Sequence, residues 1–199
     1  IDVQATQYEI QVDTEFIDQA FENFILNSFG TLSSVLNADT PVLVSRAMEY
    51  MHEHSDRFVI IVMDGMSQFD WEIISESFVG VNYTKADMYA MIPTVTSVSR
   101  QCLLSNKYPL QLINPWSQSK EKQEFTECAT DMGYLPMQIG YERSYDTAFA
   151  ASVKCGAVII NDVDDMVHGQ MQGRIGMLND IGVLSNHKKL VELTKRLIS

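Results

Sequence analysis

The chain is short of positive charge, of cysteine and of long apolar runs, and each shortage excludes something. Fourteen basic residues face twenty-six acidic ones, a net charge of −12 over 199 residues. A field of that sign repels nucleic acid, so this segment has no direct nucleic-acid grip; phosphate bound here needs a local positive site such as a metal ion. No apolar stretch approaches the roughly eighteen residues of a membrane span, which predicts no membrane partner. The opening Ile1-Asp2-Val3-Gln4-Ala5-Thr6 has neither the basic nor the apolar region of a secretory signal. It also lacks an initiator Met and reads as part of a longer product. The three cysteines, Cys102, Cys128 and Cys155, are far apart and odd in number. They form no zinc spacing and no disulfide framework, suit a reducing cytoplasm, and read as small buried hydrophobes.

What is present is an alternation of periods. Phe16, Ala20, Phe21, Phe24 and Ile25 recur at helical spacing from Asp13 onward, with Asp13 or Thr14 as cap and Gly30 at the C-terminal cap. A second helix is predicted over 41–54. These make residues 1–56 an N-terminal helical extension. From 57 to 199 short apolar runs alternate with helical stretches. Strands are predicted at 58–63, 88–92, 134–139 and 157–160, and helices at 67–78, 97–104, 120–132, 145–154 and from about Asn186 onward. That alternation predicts an α/β fold, a mostly parallel sheet flanked by helices. Met63, Met66, Met88 and Met91 read as core packing.

In open α/β sheets ligands bind beyond the carboxyl ends of the strands. Asp64-Gly65-Met66-Ser67 follows the first strand, Pro93-Thr94-Val95-Thr96-Ser97 the second, and Asn161-Asp162-Val163-Asp164-Asp165 with His168 the last. Carboxylates, hydroxyls and an imidazole thus meet at one edge, the donors a divalent cation takes. Asp64 reads equally as a helix cap, and Thr94 and Thr96 as ordinary helix-start hydroxyls. Asp164 and His168, four apart, share a helical face. His52, His54 and His187 couple to no strand-end carboxylate. Thr96 at a helix N-terminus, beside a cation held by Asp64, is placed to act as a nucleophile; Asp164 and His168 are placed to hold a second ion. This is the arrangement of phosphoryl or sulfuryl transfer.

The stretch Val59-Ile60-Ile61-Val62-Met63-Asp64-Gly65-Met66-Ser67, followed by Trp71, resembles the opening metal-binding strand of the alkaline phosphatase superfamily. Pro93-Thr94-Val95-Thr96-Ser97-Val98-Ser99-Arg100, running on to Leu104-Ser105-Asn106-Lys107-Tyr108-Pro109, resembles its nucleophile loop and helix. Asp162-Val163-Asp164-Asp165-Met166-Val167-His168-Gly169 is similar to the Asp-x-x-x-His pair of its second metal. Within the superfamily the wording resembles the PglZ domain of bacterial phage-exclusion systems, over about residues 57–170.

The resemblance implies that Thr96 is the nucleophile and, with Asp64, binds one metal. It implies that Asp164 and His168 bind the other, with Asp165 as the alternative to Asp164. The metal implied is zinc first, manganese or magnesium otherwise. The substrate implied is a phosphate ester, cleaved by a phosphodiesterase or phosphatase; a sulfatase fits less well, since its nucleophile is a modified Cys or Ser. Other phage-defence proteins are the implied partners, and a non-catalytic scaffold in such an assembly is the alternative. Arg100, one turn beyond Thr96, reads either as a contact for a substrate oxyanion or as a surface ion pair.

Three departures count. Ser99 stands where diesterase relatives have Asn, and Asn106 stands for the Gly of the following turn. No Asp-His dipeptide is present, and after His168 only His187 remains. The expectation is therefore a partial domain over 57–199, truncated at the C-terminal side, whose site is unfinished and which is inactive by itself.

Overall fold

A computed structural model describes residues 14–35 and 41–199. The expected cap Asp13 lies outside the described residues. Strands β1 (Phe58–Met63), β2 (Ile139–Glu142) and β3 (Cys155–Ile160) form a parallel sheet in the order β1-β3-β2. The α/β class follows. Every residue of β3 is buried, as befits a central strand covered on both faces. Among the described residues no strand pairs with the outer edge of β1.

The helices are α1 (Glu15–Asn27), which buries no residue, and α2 (Ala47–His54), α3 (Gln68–Ser75), α4 (Thr96–Ser105), α5 (Glu121–Asp131), α6 (Asp162–Gly169), α7 (Gly173–Asn186) and α8 (Lys189–Ile198). Side chains alternate along β3 with period two. Ala157 and Ile159 meet Met48 of α2, Leu104 of α4 and Phe125 of α5. Val158 and Ile160 meet Leu193 of α8 on the other face. Ile74, Ile181, Leu184 and Val191 of α3, α7 and α8 pack beside them. Met48, from the segment expected as an extension, is fully buried in this core. Among the described residues no helix is long and apolar enough to cross a membrane.

Several sequence expectations are corrected. Residues 88–92 form no strand; Tyr89 makes a single bridge to Leu43, and the cis Ile92–Pro93 bond follows. Met88 is exposed rather than core. Pro136–Gln138 is a tight 3-10 turn, so the strand expected at 134–139 begins at Ile139 instead. Residues 145–154 contain no helix. Their Tyr145–Phe149–Val153 spacing imitates one, but Phe149 instead lays its ring over two glycines of the sheet. A Cβ added at Gly140 would stand 2.5 Å from that ring, and one at Gly156 2.8 Å. Helix α1 stops at Asn27, and Gly30 lies inside a following 3-10 turn, Phe29–Ser34, not at a cap. Helix α7 was not legible, because Gly173, Gly176 and Gly182 are poor helix formers.

Candidate active site

The parallel register ends β1 and β3 at the same level, Met63 opposite Ile160. The next residues, Asp64 and Asn161, therefore leave the sheet side by side, and the Asp64 N–H still donates to the Ile160 carbonyl at 2.9 Å. Gly65 then turns the chain in the left-handed region, φ 71°. A Cβ there would stand 2.9 Å from Cα of Asp164, so the turn after β1 lies directly on the first turn of α6. Asp64 does not cap α3. Ser67 does, through a reciprocal pair: its hydroxyl accepts from the Asp70 N–H at 3.2 Å, and Asp70 Oδ2 accepts from the Ser67 N–H at 2.8 Å.

Arg100 ties this edge to α4. It is neither a surface ion pair nor a group open to substrate: its side chain is 3% exposed. Its Nη1 donates to Asp64 Oδ2 at 2.8 Å and to Asn161 Oδ1 at 3.2 Å. Its other side forms a two-point pair with Glu121, Nε to Oε2 at 2.7 Å and Nη2 to Oε1 at 2.6 Å. The Tyr141 hydroxyl also donates to Glu121, and Arg143 Nη2 reaches it at 3.1 Å. Burial works against the Arg100 charge, but Glu121 and then Asp64 more than offset it and hold its pKa above the ordinary value. Burial, and then the Glu121 carboxylate, likewise raise the Tyr141 phenol.

Thr96 opens α4, with Val95 at the cap position and no side-chain cap. Val98 and Ser99 donate to the Val95 carbonyl, which leaves the Thr96 and Ser97 N–H groups ahead of the helix. Thr96 and Arg100 are four residues apart, about 6 Å along the axis, on one face of α4. Thr96 thus precedes, on that face, the side chain that grips both strand ends. Among the described residues its hydroxyl has no hydrogen-bond partner. Thr94 is exposed in the preceding loop. Asn106 ends α4 with φ 55°, the left-handed conformation that the usual Gly supplies.

Asp164 and His168 lie on one face of α6, Oδ1 to Nε2 at 3.6 Å, with His168 78% exposed. Asp165 is exposed beside them. Adjacent ligands of a tetrahedral ion with bonds of about 2.0 Å stand roughly 3.3 Å apart. The pair therefore fits two positions of a coordination shell and leaves the others to be filled. Asp64 keeps only Oδ1 free of Arg100. Among the described residues no three His, Cys, Asp or Glu groups come together as a metal site.

Glu121 and Tyr141, the anchors of Arg100, were invisible in the sequence. Glu121 reads there as an ordinary acid in a first helical turn, and its partner lies twenty-one residues away. Two of the three histidines set aside have partners of their own: His52 meets the Tyr134 hydroxyl at 2.9 Å and His54 the Tyr50 carbonyl at 2.8 Å. The cysteines are buried and free, as expected. No family model matches the chain. No curated protein matches it either.

Proposed function

We propose that the chain carries the metal-dependent phosphoesterase site of an alkaline-phosphatase-like domain, in the manner of the PglZ domains of phage defence. The observation that carries this reading is the Arg100 bridge. One guanidinium nitrogen holds the ends of β1 and β3 together and comes from the helix that Thr96 begins. The three segments on which the resemblance rests thereby share one carboxyl edge, where α/β sheets take their ligands.

Asp164 and His168 would hold one divalent cation, zinc before manganese or magnesium, and Asp64 Oδ1 with Thr96 a second. Such ions supply neutralisation of phosphoryl charge and a lowered pKa for a hydroxyl. The Thr96 oxygen attacks phosphorus in line, its proton passes to solvent, and the ester oxygen departs. The Thr96 and Ser97 amides, at the start of α4, would be the donors to the oxyanion that develops. The departing oxygen takes a proton from solvent, and water then cleaves the Thr96–phosphorus bond, returns a proton to the Thr96 oxygen and releases phosphate from a monoester or a phosphomonoester from a diester. Among the described residues the outer edge of β1, next to Asp64, carries no paired strand.

The test is hydrolysis of a nitrophenyl phosphodiester with added zinc or manganese, by the longest form of the protein, beside Thr96→Ala. Metal-dependent turnover abolished by the substitution is the expected result; turnover that survives it overturns the reading. The alternative is a non-catalytic scaffold of a phage-exclusion complex. It is favoured by the burial of Asp64 against Arg100, which gives that carboxylate a structural role, and it predicts no turnover with any metal or ester.

A further inference from the structure

A pocket of about 450 Å³ opens beside the two acidic turns, between the start of α3 and the junction of α6 with α7. Gly65, the residue after Asp64, is part of its lining. Phe69, Val167, Met177 and Leu178 supply apolar walls, and Arg174 is also part of the lining. The Phe69 ring is 49% exposed although it belongs to the first turn of a helix whose other large apolar residues pack inward. The Arg174 guanidinium carbon lies 5.5 Å from the centre of that ring. The volume falls within the range of small-molecule sites, and Ser67, Asp70 and Gln170 join Arg174 as the polar part of the lining.

Three features select the chemistry of an occupant. A half-exposed aromatic ring with a guanidinium over it is a stacking platform for a planar heteroaromatic group. Among the described residues Arg174 is the one cation of the lining and Asp70, whose Oδ2 accepts from Ser67, the one carboxylate. Gly65, which lines the pocket, follows Asp64 and abuts the Asp164 backbone, so a group seated here lies next to the turn that carries Asp64 and the start of α6. We propose that this pocket takes the aromatic ester group of the substrate, a nucleobase or a ring of similar size, stacked on Phe69 with Arg174 beside it. The proposal rests on the phosphoesterase reading for the ester, and on the pocket alone for the ring.

The experiment compares adenosine 5′-monophosphate, adenosine and ribose 5-phosphate by calorimetry and by NMR shifts of Phe69, Val167 and Leu178. Adenosine 5′-monophosphate is expected to bind at least about fivefold tighter than ribose 5-phosphate, the factor given by the low end of base–aromatic stacking. Both adenine compounds are expected to shift the three residues. Phe69→Ala should remove the preference and Phe69→Trp should keep it. Equal affinities, a preference that survives Phe69→Ala, or no shifts at these residues overturns the proposal. Adenine-dependent shifts without Thr96-dependent hydrolysis would retire the hydrolase reading and leave the pocket standing. Hydrolysis without any adenine preference would do the reverse.

Discussion

Arg100 and Glu121 form a fork-to-fork ion pair, 2.7 and 2.6 Å, with side chains only 3% and 0% exposed. A buried pair of this kind adds little over a well-packed apolar pair, but removing one partner strands the other charge. Glu121→Gln should lower the unfolding free energy by about 3 kcal/mol, the low end of the usual cost because Asp64 still faces Arg100. The exposed pair Arg46–Glu49, 2.6 Å apart with side chains 39% and 45% exposed, is the control. Arg46→Ala should cost under about 1 kcal/mol. Urea denaturation of both variants measures the contrast, and equal costs would show that the buried pair is not what holds this edge.

A second expectation separates ligand loss from structural damage at Asp164 and His168. Both are partly or largely solvent-facing, at 29% and 78% of their side chains. Asp164→Ala and His168→Ala should change stability by no more than about 0.5 kcal/mol, as surface substitutions do. Each should abolish zinc binding at that pair, read by calorimetry on the apo protein. Zinc affinity unchanged in both variants removes these residues from the ligand set.

The first and last strands were legible because Phe58–Met63 and Cys155–Ile160 are unbroken apolar runs, and only strands covered on both faces need such runs. Helix α4 was legible from Pro93 and the hydroxyls after it, and the left-handed Asn106 from its place after the helix. That Asp64 and α6 leave the sheet side by side follows from the ends of β1 and β3 and could be anticipated, whereas α4 follows no strand and is tied to that edge by Arg100. That tie could not be anticipated. Arg100 looks like any helical arginine until Glu121 and Asp64 are brought to it from 21 and 36 residues away. The misread segment 145–154 fails for a related reason: its conformation is set by the dimple that Gly140 and Gly156 leave for Phe149, a tertiary demand that local periodicity does not carry.

The cysteines predict the alkaline limit of stability. Burial first of all pushes Cys102, Cys128 and Cys155 each up to about 12. In the unfolded chain a thiol titrates near about 8.5. Below that value both states keep the proton. Above it the unfolded chain releases the proton and the native one retains it, so stability falls as pH rises from about 8.5 towards 12, by about 1.4 kcal/mol per pH unit for each thiol. Guanidinium melts from pH 8 to pH 11 should show this slope, and Cys128→Ala should reduce it by one thiol's share. At neutral pH a thiol reagent should modify none of the three until the protein is denatured. A slope that ignores the substitution would contradict this account.

Gly65 couples the fold to the site, and a pair of alanine substitutions isolates the coupling. Gly65 and Gly80 both have left-handed backbones, φ 71° and 81°. A side chain at either therefore meets the same conformational strain, about 1–2 kcal/mol. At Gly80 a Cβ would have open space, whereas at Gly65 it would stand 2.9 Å from Cα and 3.0 Å from N of Asp164. Those are backbone atoms and cannot rotate away, so Gly65→Ala must also push the start of α6 off the end of β1, adding about 1–3 kcal/mol. Denaturation should find Gly65→Ala the costlier of the two by that increment. The same displacement moves Asp164 relative to Asp64, so NMR shifts on α6 should change in Gly65→Ala and stay in place in Gly80→Ala. If the two variants cost the same and α6 does not respond, the turn after β1 does not set the position of Asp164.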